Sequence, residues 1–191
     1  MNWAAIGVMA APMPNEASVS SAAALERINV LKMELDSLRP LNAQTVRALE
    51  EWHRVELTYS SNAIEGNTLT RSETAVILEK GLTVGQGKSV REHLEAINHG
   101  HAFDFVLRLA AGAEAISEMD IRQVQALITA GDERAEPGRY SSGARTVSGS
   151  KLIFPGPSEI GPQMRDFARW LADEAPSPET AAEAHSRLVE I

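Results

Sequence analysis

Apolar residues recur at steps of three and four through nearly the whole chain, a spacing that leaves little room for anything but helices. Leu25, Ile28, Leu31, Leu35 and Leu38 follow it behind a Ser20-Ser21 start, and Pro40 ends the run. Val46, Leu49, Trp52 and Leu57 predict a second helix from about residue 43 to 64, stopped by the αL-tolerant Gly66 and Asn67. Thr70 and Glu73 have the spacing of a capping box and open a short helix carrying Val76, Ile77 and Leu78. A long helix over residues 89–111 is expected to place Val90, Leu94, Ile97, Phe105 and Leu109 on one side. Further helices are expected at 120–130 behind Ser117, at 159–173 and from 178 onward. Residues 131–150 lose the helical period. There Thr146-Val147, a Ser148-Gly149-Ser150 turn and Leu152-Ile153-Phe154 predict two short strands. The expected fold class is all-α, a mainly helical bundle with one small β-hairpin at about 145–155.

Composition narrows the function. The 191 residues carry 18 Lys and Arg against 26 Asp and Glu, a net charge of −8. That balance opposes a sequence-independent grip on nucleic-acid phosphates, so no nucleic-acid partner is expected. With no cysteine, disulfide scaffolds, thiol catalysis and Cys-zinc sites are excluded. No apolar run approaches the roughly 18 residues of a membrane span, so no membrane partner is expected either. Residues 1–14 are apolar, but no Lys or Arg precedes Arg27, so the charged start of a secretory signal is missing. The cytoplasm is the expected compartment. The length suits an N-terminal segment and first helix at 1–42 followed by one helical domain at 43–191.

Several groups invite chemistry and do not support it. His93, His99 and His101 are six and two residues apart, so they do not converge on one helical face as metal ligands must. Gly85-Gln86-Gly87-Lys88-Ser89 ends like a phosphate-binding loop, but Leu82 stands where such a loop needs its first glycine. It reads as a turn before the long helix. Glu92, Glu95 and Asn98 lie on one stripe and could order a neighbouring loop by hydrogen bonding.

Residues 60–70 are more informative. A helix end presents Ser61 and, four residues on, Glu65 on the same side, before a Gly66-Asn67 stop. A carboxylate at a helix C-terminus is disfavoured by up to about 1 kcal/mol, because the helix dipole is negative there. Such a residue makes sense if a cation elsewhere meets it. On spacing alone, it reads as an exposed glutamate before a helix cap.

This segment resembles the inhibitory helix of Fic (Fido-domain) proteins: Ser or Thr, three residues, Glu, then Gly or Asn. Ser61, Glu65, Gly66 and Asn67 match it, and Ile64 through Thr70 resembles the Fic proteins that carry this helix before the catalytic core. By the same resemblance the inhibitory helix is at about 43–67. Glu92, Glu95 and Asn98 look like the family's Glu-rich helix. Pro137-Gly138-Arg139-Tyr140 is similar to its approach to the hairpin, with Ser141 where the family has Arg. Thr146, Val147, Ser148 and Gly149 resemble the flap that aligns a target segment by backbone pairing. Residues 157–171 and 184–191 resemble the two helices that follow. The catalytic His-Pro-Phe-x-Asp/Glu-Gly-Asn-Gly-Arg element would come next and does not occur in the 191 residues, so no catalytic residue or metal ligand is assigned in this chain. The expectation is a fragment of a longer protein or a truncated gene product.

The resemblance implies AMP transfer from ATP, with Mg²⁺, to a hydroxyl of a target protein. The absent motif histidine would be the base, and Glu65 would pair with the last motif arginine, which otherwise receives the ATP γ-phosphate. Expected partners are a target presenting a Ser, Thr or Tyr hydroxyl and, left open, a second copy of the chain as a homodimer. The rival reading is a catalytically dead, Fic-like regulatory or protein-binding domain.

Overall fold

At most helix starts, free N–H groups meet an acceptor supplied by the local sequence. The structure is a computed structural model that describes residues 20–81, 87–112, 114–143 and 154–191. Ser20 caps α1 (Ser21–Ser37) and Asn42 caps α2 (Ala43–Ile64), its Oδ1 accepting from Gln44 N at 2.8 Å. Thr70 with Glu73 forms a reciprocal box on α3 (Arg71–Lys80), and Ser89 with Glu92 does so on α4 (Val90–Ala111). Ser117 and Asp120 repeat the device on α5 (Glu118–Ile128). Proline at an early helical position helps open both α6 (Pro157–Asp173) and α7 (Pro178–Leu188). A 3₁₀ turn, Glu133–Ala135, lies between α5 and α6.

The chain divides into two units, Met1–Arg39 and Pro40–Ile191. In the first, Lys32 and Arg39 both hydrogen-bond the Asp36 carboxylate of α1 and hold it below the usual carboxylate range. In the second, α2, α3 and α4 pack against one another, then α4 on α5, α5 on α6 and α6 on α7. The described residues are helix, turn and loop, with no strand among them. The hairpin expected at about 145–155, with Thr146, Val147, Ser148 and Gly149, lies largely outside the described residues. Phe154 and Pro155, which are described, have no regular structure.

Only part of the apolar stripe expected on α4 packs: Ile97 lies against the core and Phe105 and Leu109 are half-buried, but the first turns of the stripe face outward. Val90 is 69% exposed and Leu94 39%, whereas His93, Ala96, Gly100 and Ala102 are buried. On α2, Leu49, Trp52 and Leu57 are likewise exposed and Thr58 is the buried residue. Close approach explains both corrections. A Cβ on Gly100 would stand 2.5 Å from Leu78 Cδ2 and 3.2 Å from an Arg54 guanidinium nitrogen. Small side chains admit the neighbouring helices, and hydrogen-bonding groups fill the space between them. Arg54 makes a two-pronged bond to Asp104 at 2.8 and 2.9 Å and donates to the Leu78 carbonyl at 3.3 Å, linking α2, α4 and α3. Thr58 Oγ1 lies 3.0 Å from His99 Nδ1, and burial pushes the His99 imidazole below its ordinary pKa. The apolar part of this junction is Leu69, Ile77 and Ala96, with Ile97 against them. Downstream, Met164 and Phe167 of α6 are buried, Trp170 packs 5.8 Å from Phe167, and Arg187 of α7 sits over the Trp170 ring at 4.1 Å.

Bulk at Gly100 is therefore costly. Gly100→Ala should stay near wild type, because Leu78 can rotate away and alanine gains about 1 kcal/mol of helix propensity. Gly100→Val cannot be relieved so cheaply and should lose about 2 kcal/mol. Urea unfolding separates the two; a valine variant as stable as wild type would contradict the close-packed seam.

Candidate functional site

The end of α2 is built by a glycine. Gly66 adopts φ +88°, a left-handed conformation that costs glycine little. This lets Gly66 N–H donate to the Ala63 carbonyl at 3.1 Å and Asn67 N–H to the Asn62 carbonyl at 2.9 Å. These two bonds are the Schellman closure, and they use carbonyls that the helix end would otherwise leave free. Glu65 is thereby the cap residue itself, with its N–H on the Ser61 carbonyl at 3.3 Å. Its side chain is exposed and finds no partner among the described residues, while Ser61 is half-buried. Ile64 beside it is 84% exposed. Asn62 Nδ2 is buried with no hydrogen-bond partner among the described residues. Ser61, Glu65, Gly66 and Asn67 are thus all at one helix end, and the carboxylate is at its negative pole.

The segment leaving α2 is held on α4. Asn67 Nδ2 donates to the Glu92 carbonyl and to Glu95 Oε2, both at 3.0 Å, and Asn67 Oδ1 accepts from Leu69 N at 3.0 Å. Thr68 donates twice to Glu92 Oε1, from its N–H at 2.8 Å and its hydroxyl at 2.6 Å. Lys88 Nζ bonds the Thr68 carbonyl and, at 3.1 Å, its hydroxyl oxygen. The carboxylates on the α4 stripe do order a neighbouring loop, as their spacing suggests. Asn98 of the same stripe acts elsewhere, donating to the Ala130 carbonyl at 2.8 Å. Glu92 Oε2 meanwhile accepts from Ser89 N at 2.8 Å and Ser89 Oγ at 2.9 Å. Hydrogen bonds from Thr68 and Ser89 hold the Glu92 carboxyl down at about 2.

The approach to residues 144–153 is anchored on α5. Arg122 Nε donates to the Gly138 carbonyl at 2.8 Å, Gly138 N donates to Gln125 Oε1 at 2.5 Å, and the Tyr140 hydroxyl donates to Glu118 Oε1 at 2.6 Å. Burial first, then Glu118, pushes the Tyr140 phenol above its ordinary pKa. The proposed flap residues themselves lie outside the described residues.

The described residues offer two places where a phosphate could be sought. Lys88 and Ser89 of the Gly-Lys-Ser turn are committed to Thr68 and to Glu92. A cleft of about 550 Å³ at α6 and α7 carries Glu159, Asp166 and Glu190 against Arg187, the wrong charge balance for a triphosphate. No three His, Asp or Glu side chains among the described residues are grouped to hold a metal ion. No described helix is long and apolar enough to cross a membrane.

Comparison with known proteins agrees on one family. The protein adenylyltransferase Fic of Nematostella vectensis is 33% identical over 172 residues, covering 87% of this chain and 39% of that protein. Protein adenylyltransferase fic-1 of Caenorhabditis elegans is 34% identical over 137 residues, covering 69% of this chain and 26% of its own length. Among solved structures, a Fic domain containing signaling protein from Bacteroides thetaiotaomicron superposes with a TM-score of 0.76 at 28% identity, over 86% of this chain and 64% of that one. The structure of C. elegans Fic-1 gives 0.68 at 31% identity, over 86% of this chain and 49% of that one. No protein-family model matches the chain. The chain spans about two fifths or less of the curated relatives' length.

The Glu92 hydrogen bonds carry their own pH dependence. Because its folded-state value of about 2 lies below the ordinary 4.5, the stabilisation is complete above about 4.5 and drains away as pH falls toward 2. An NMR titration of the Glu92 side-chain carboxyl carbon should show a midpoint near 2; a midpoint near 4.5 would mean that the four bonds do not persist in solution.

Proposed function

Because the chain belongs to the Fic (Fido-domain) family, we propose that it is the N-terminal part of a protein adenylyltransferase that carries its own autoinhibitory helix. The reaction moves AMP from ATP, with Mg²⁺, to a Ser, Thr or Tyr hydroxyl of a target protein. The names borne by the relatives support the reaction class. The observation that carries the inhibitory reading is the placement of Glu65. It is exposed at the negative end of a 22-residue helix, without a partner among the described residues, next to a half-buried Ser61 and an exposed Ile64. A carboxylate so placed is locally disfavoured, and an incoming guanidinium relieves it.

In this reading Glu65 accepts hydrogen bonds from the last arginine of the catalytic motif and keeps it from the ATP γ-phosphate. Ser61, one turn earlier on the same side, supports the contact. Residues 146–154 align the target by backbone pairing. The base, the phosphate-binding loop and the metal ligand all belong to the motif, so no catalytic step is assigned to residues of this chain. The 191 residues alone should leave a target unlabelled with radiolabelled ATP.

The direct test is auto-modification of a protein in which a Fic motif follows residue 191. A charge-assisted hydrogen bond of this kind contributes about 1.5–3 kcal/mol. Glu65→Gly should therefore raise labelling on the order of tenfold or more, at one decade per 1.36 kcal/mol. Ser61→Ala should act in the same direction and more weakly. An unchanged rate in Glu65→Gly, with the motif histidine still essential, would make Glu65 an ordinary helix-end residue.

A further inference from the structure

A capping-box glutamate ordinarily serves only its own helix. Glu92 serves two elements at once. One carboxylate oxygen closes the α4 box with Ser89, and the other takes both donors of Thr68, a residue 24 positions earlier in the chain. Its backbone carbonyl adds a bond from Asn67, which Glu95 shares. Leu69, the next residue, is buried against Ile77 and Ala96. The chain from Asn67 to Leu69 is thus fixed residue by residue on α4 and in the core. Thr68 is three residues from Glu65, a reach of at most about 11 Å. Whatever holds Thr68 bounds where the Glu65 carboxylate can go.

The Schellman bonds of Gly66 and Asn67 would otherwise be the last restraint on this end. Helix ends fray readily when nothing else secures them. Asn67 takes part in both restraints, donating its N–H to the Asn62 carbonyl and its side-chain amide to α4. Loosening one therefore loosens the other.

We propose that Glu92 is the positioning residue of the Ser61–Glu65 motif, holding the Glu65 carboxylate in register through Thr68 and Asn67 rather than by contact. This rests on the reading of Glu65 as the inhibitory carboxylate. Glu92 sets how tightly the clamp is held, so a change that frees Thr68 from α4 weakens inhibition without touching Glu65. The four bonds on its carboxylate keep it ionised throughout the neutral range, so the restraint is constant there.

The experiment has two arms. In the 191-residue chain, amide hydrogen exchange is measured residue by residue. Glu92→Ala should speed exchange at Gly66, Asn67 and Thr68 about tenfold. Ser89→Ala breaks the α4 box and leaves both Thr68 bonds, so it should speed exchange only in the first turn of α4. Thr68→Val keeps the backbone bond and loses the hydroxyl bond, and should reproduce the Glu92 effect in part, which guards against a Glu92 variant that merely unfolds.

In a protein carrying the Fic motif after residue 191, labelling with ATP is compared in a double-mutant cycle. Glu92→Ala should raise labelling about tenfold with Glu65 present and leave it unchanged in Glu65→Gly, and Glu92→Gln should fall between Glu92→Ala and wild type. Unchanged exchange at residues 66–68 would overturn the proposal. So would a rise of the same size in the Glu65→Gly background, which would mean that Glu92 acts by another route. If Glu65→Gly itself fails to activate, the inhibitory reading falls and the regulatory role of Glu92 falls with it, whatever the exchange arm shows.

Discussion

Three helices meet where Gly100 leaves room for them. A bulky side chain there would collide with Leu78 and Arg54, and glycine lets α3 and α2 both come close to α4. Arg54 then spans all three helices, fixed by Asp104 and the Leu78 carbonyl. Both partners remain partly exposed, so screening keeps the pair's net contribution near 1 kcal/mol. Its value lies in geometry. A two-pronged bond fixes the angle between helices, which a greasy contact would leave loose.

Everything at the end of α2 follows from that junction. Once α2 runs along α4, its last turn arrives beside the α4 N-terminus, where Glu92 and Glu95 face the departing chain. Leu69 drops into the space between α3 and α4, and Asn67 and Thr68 are pinned on the way. Glu65 is left on the open side. Its exposure is a consequence of the fold: the helix must stop at Gly66 for Leu69 to reach the core, and the stop puts residue 65 at the cap. A carboxylate in that place is locally disfavoured by the helix dipole.

Local chemistry was legible in the sequence and non-local chemistry was not. Thr70 with Glu73, and Gly66 as a stop, act within four residues and can be read directly. Helix limits at Ala43–Ile64 and Val90–Ala111 followed from the same signals. The packing face of α2 and much of that of α4 did not, although Ile77 and Ile97 do pack as their spacing suggests. Hydrophobic periodicity favoured Val90, Leu94, Leu49, Trp52 and Leu57, yet the seam runs through His93, Ala96, Gly100, Thr58 and Arg54. Such a seam has no hydrophobic signature, because it is made from small and hydrogen-bonding residues. The pairing of Glu92 with Thr68 across 24 residues was equally out of reach, although the stripe of Glu92 and Glu95 marked α4 as a surface that could hold a loop. The motif at Ser61–Glu65 was visible as a pattern. Its physical oddity, a carboxylate at a negative helix end, was visible too.

The most direct test is a structure of this protein joined to a Fic catalytic motif, determined without nucleotide. The distance from the Glu65 carboxylate to the guanidinium of the last motif arginine decides the matter. An autoinhibitory α2 requires that distance to be about 2.7–2.9 Å, the range of a charge-assisted hydrogen bond. Glu65 in solvent, with the arginine bound elsewhere, would contradict it.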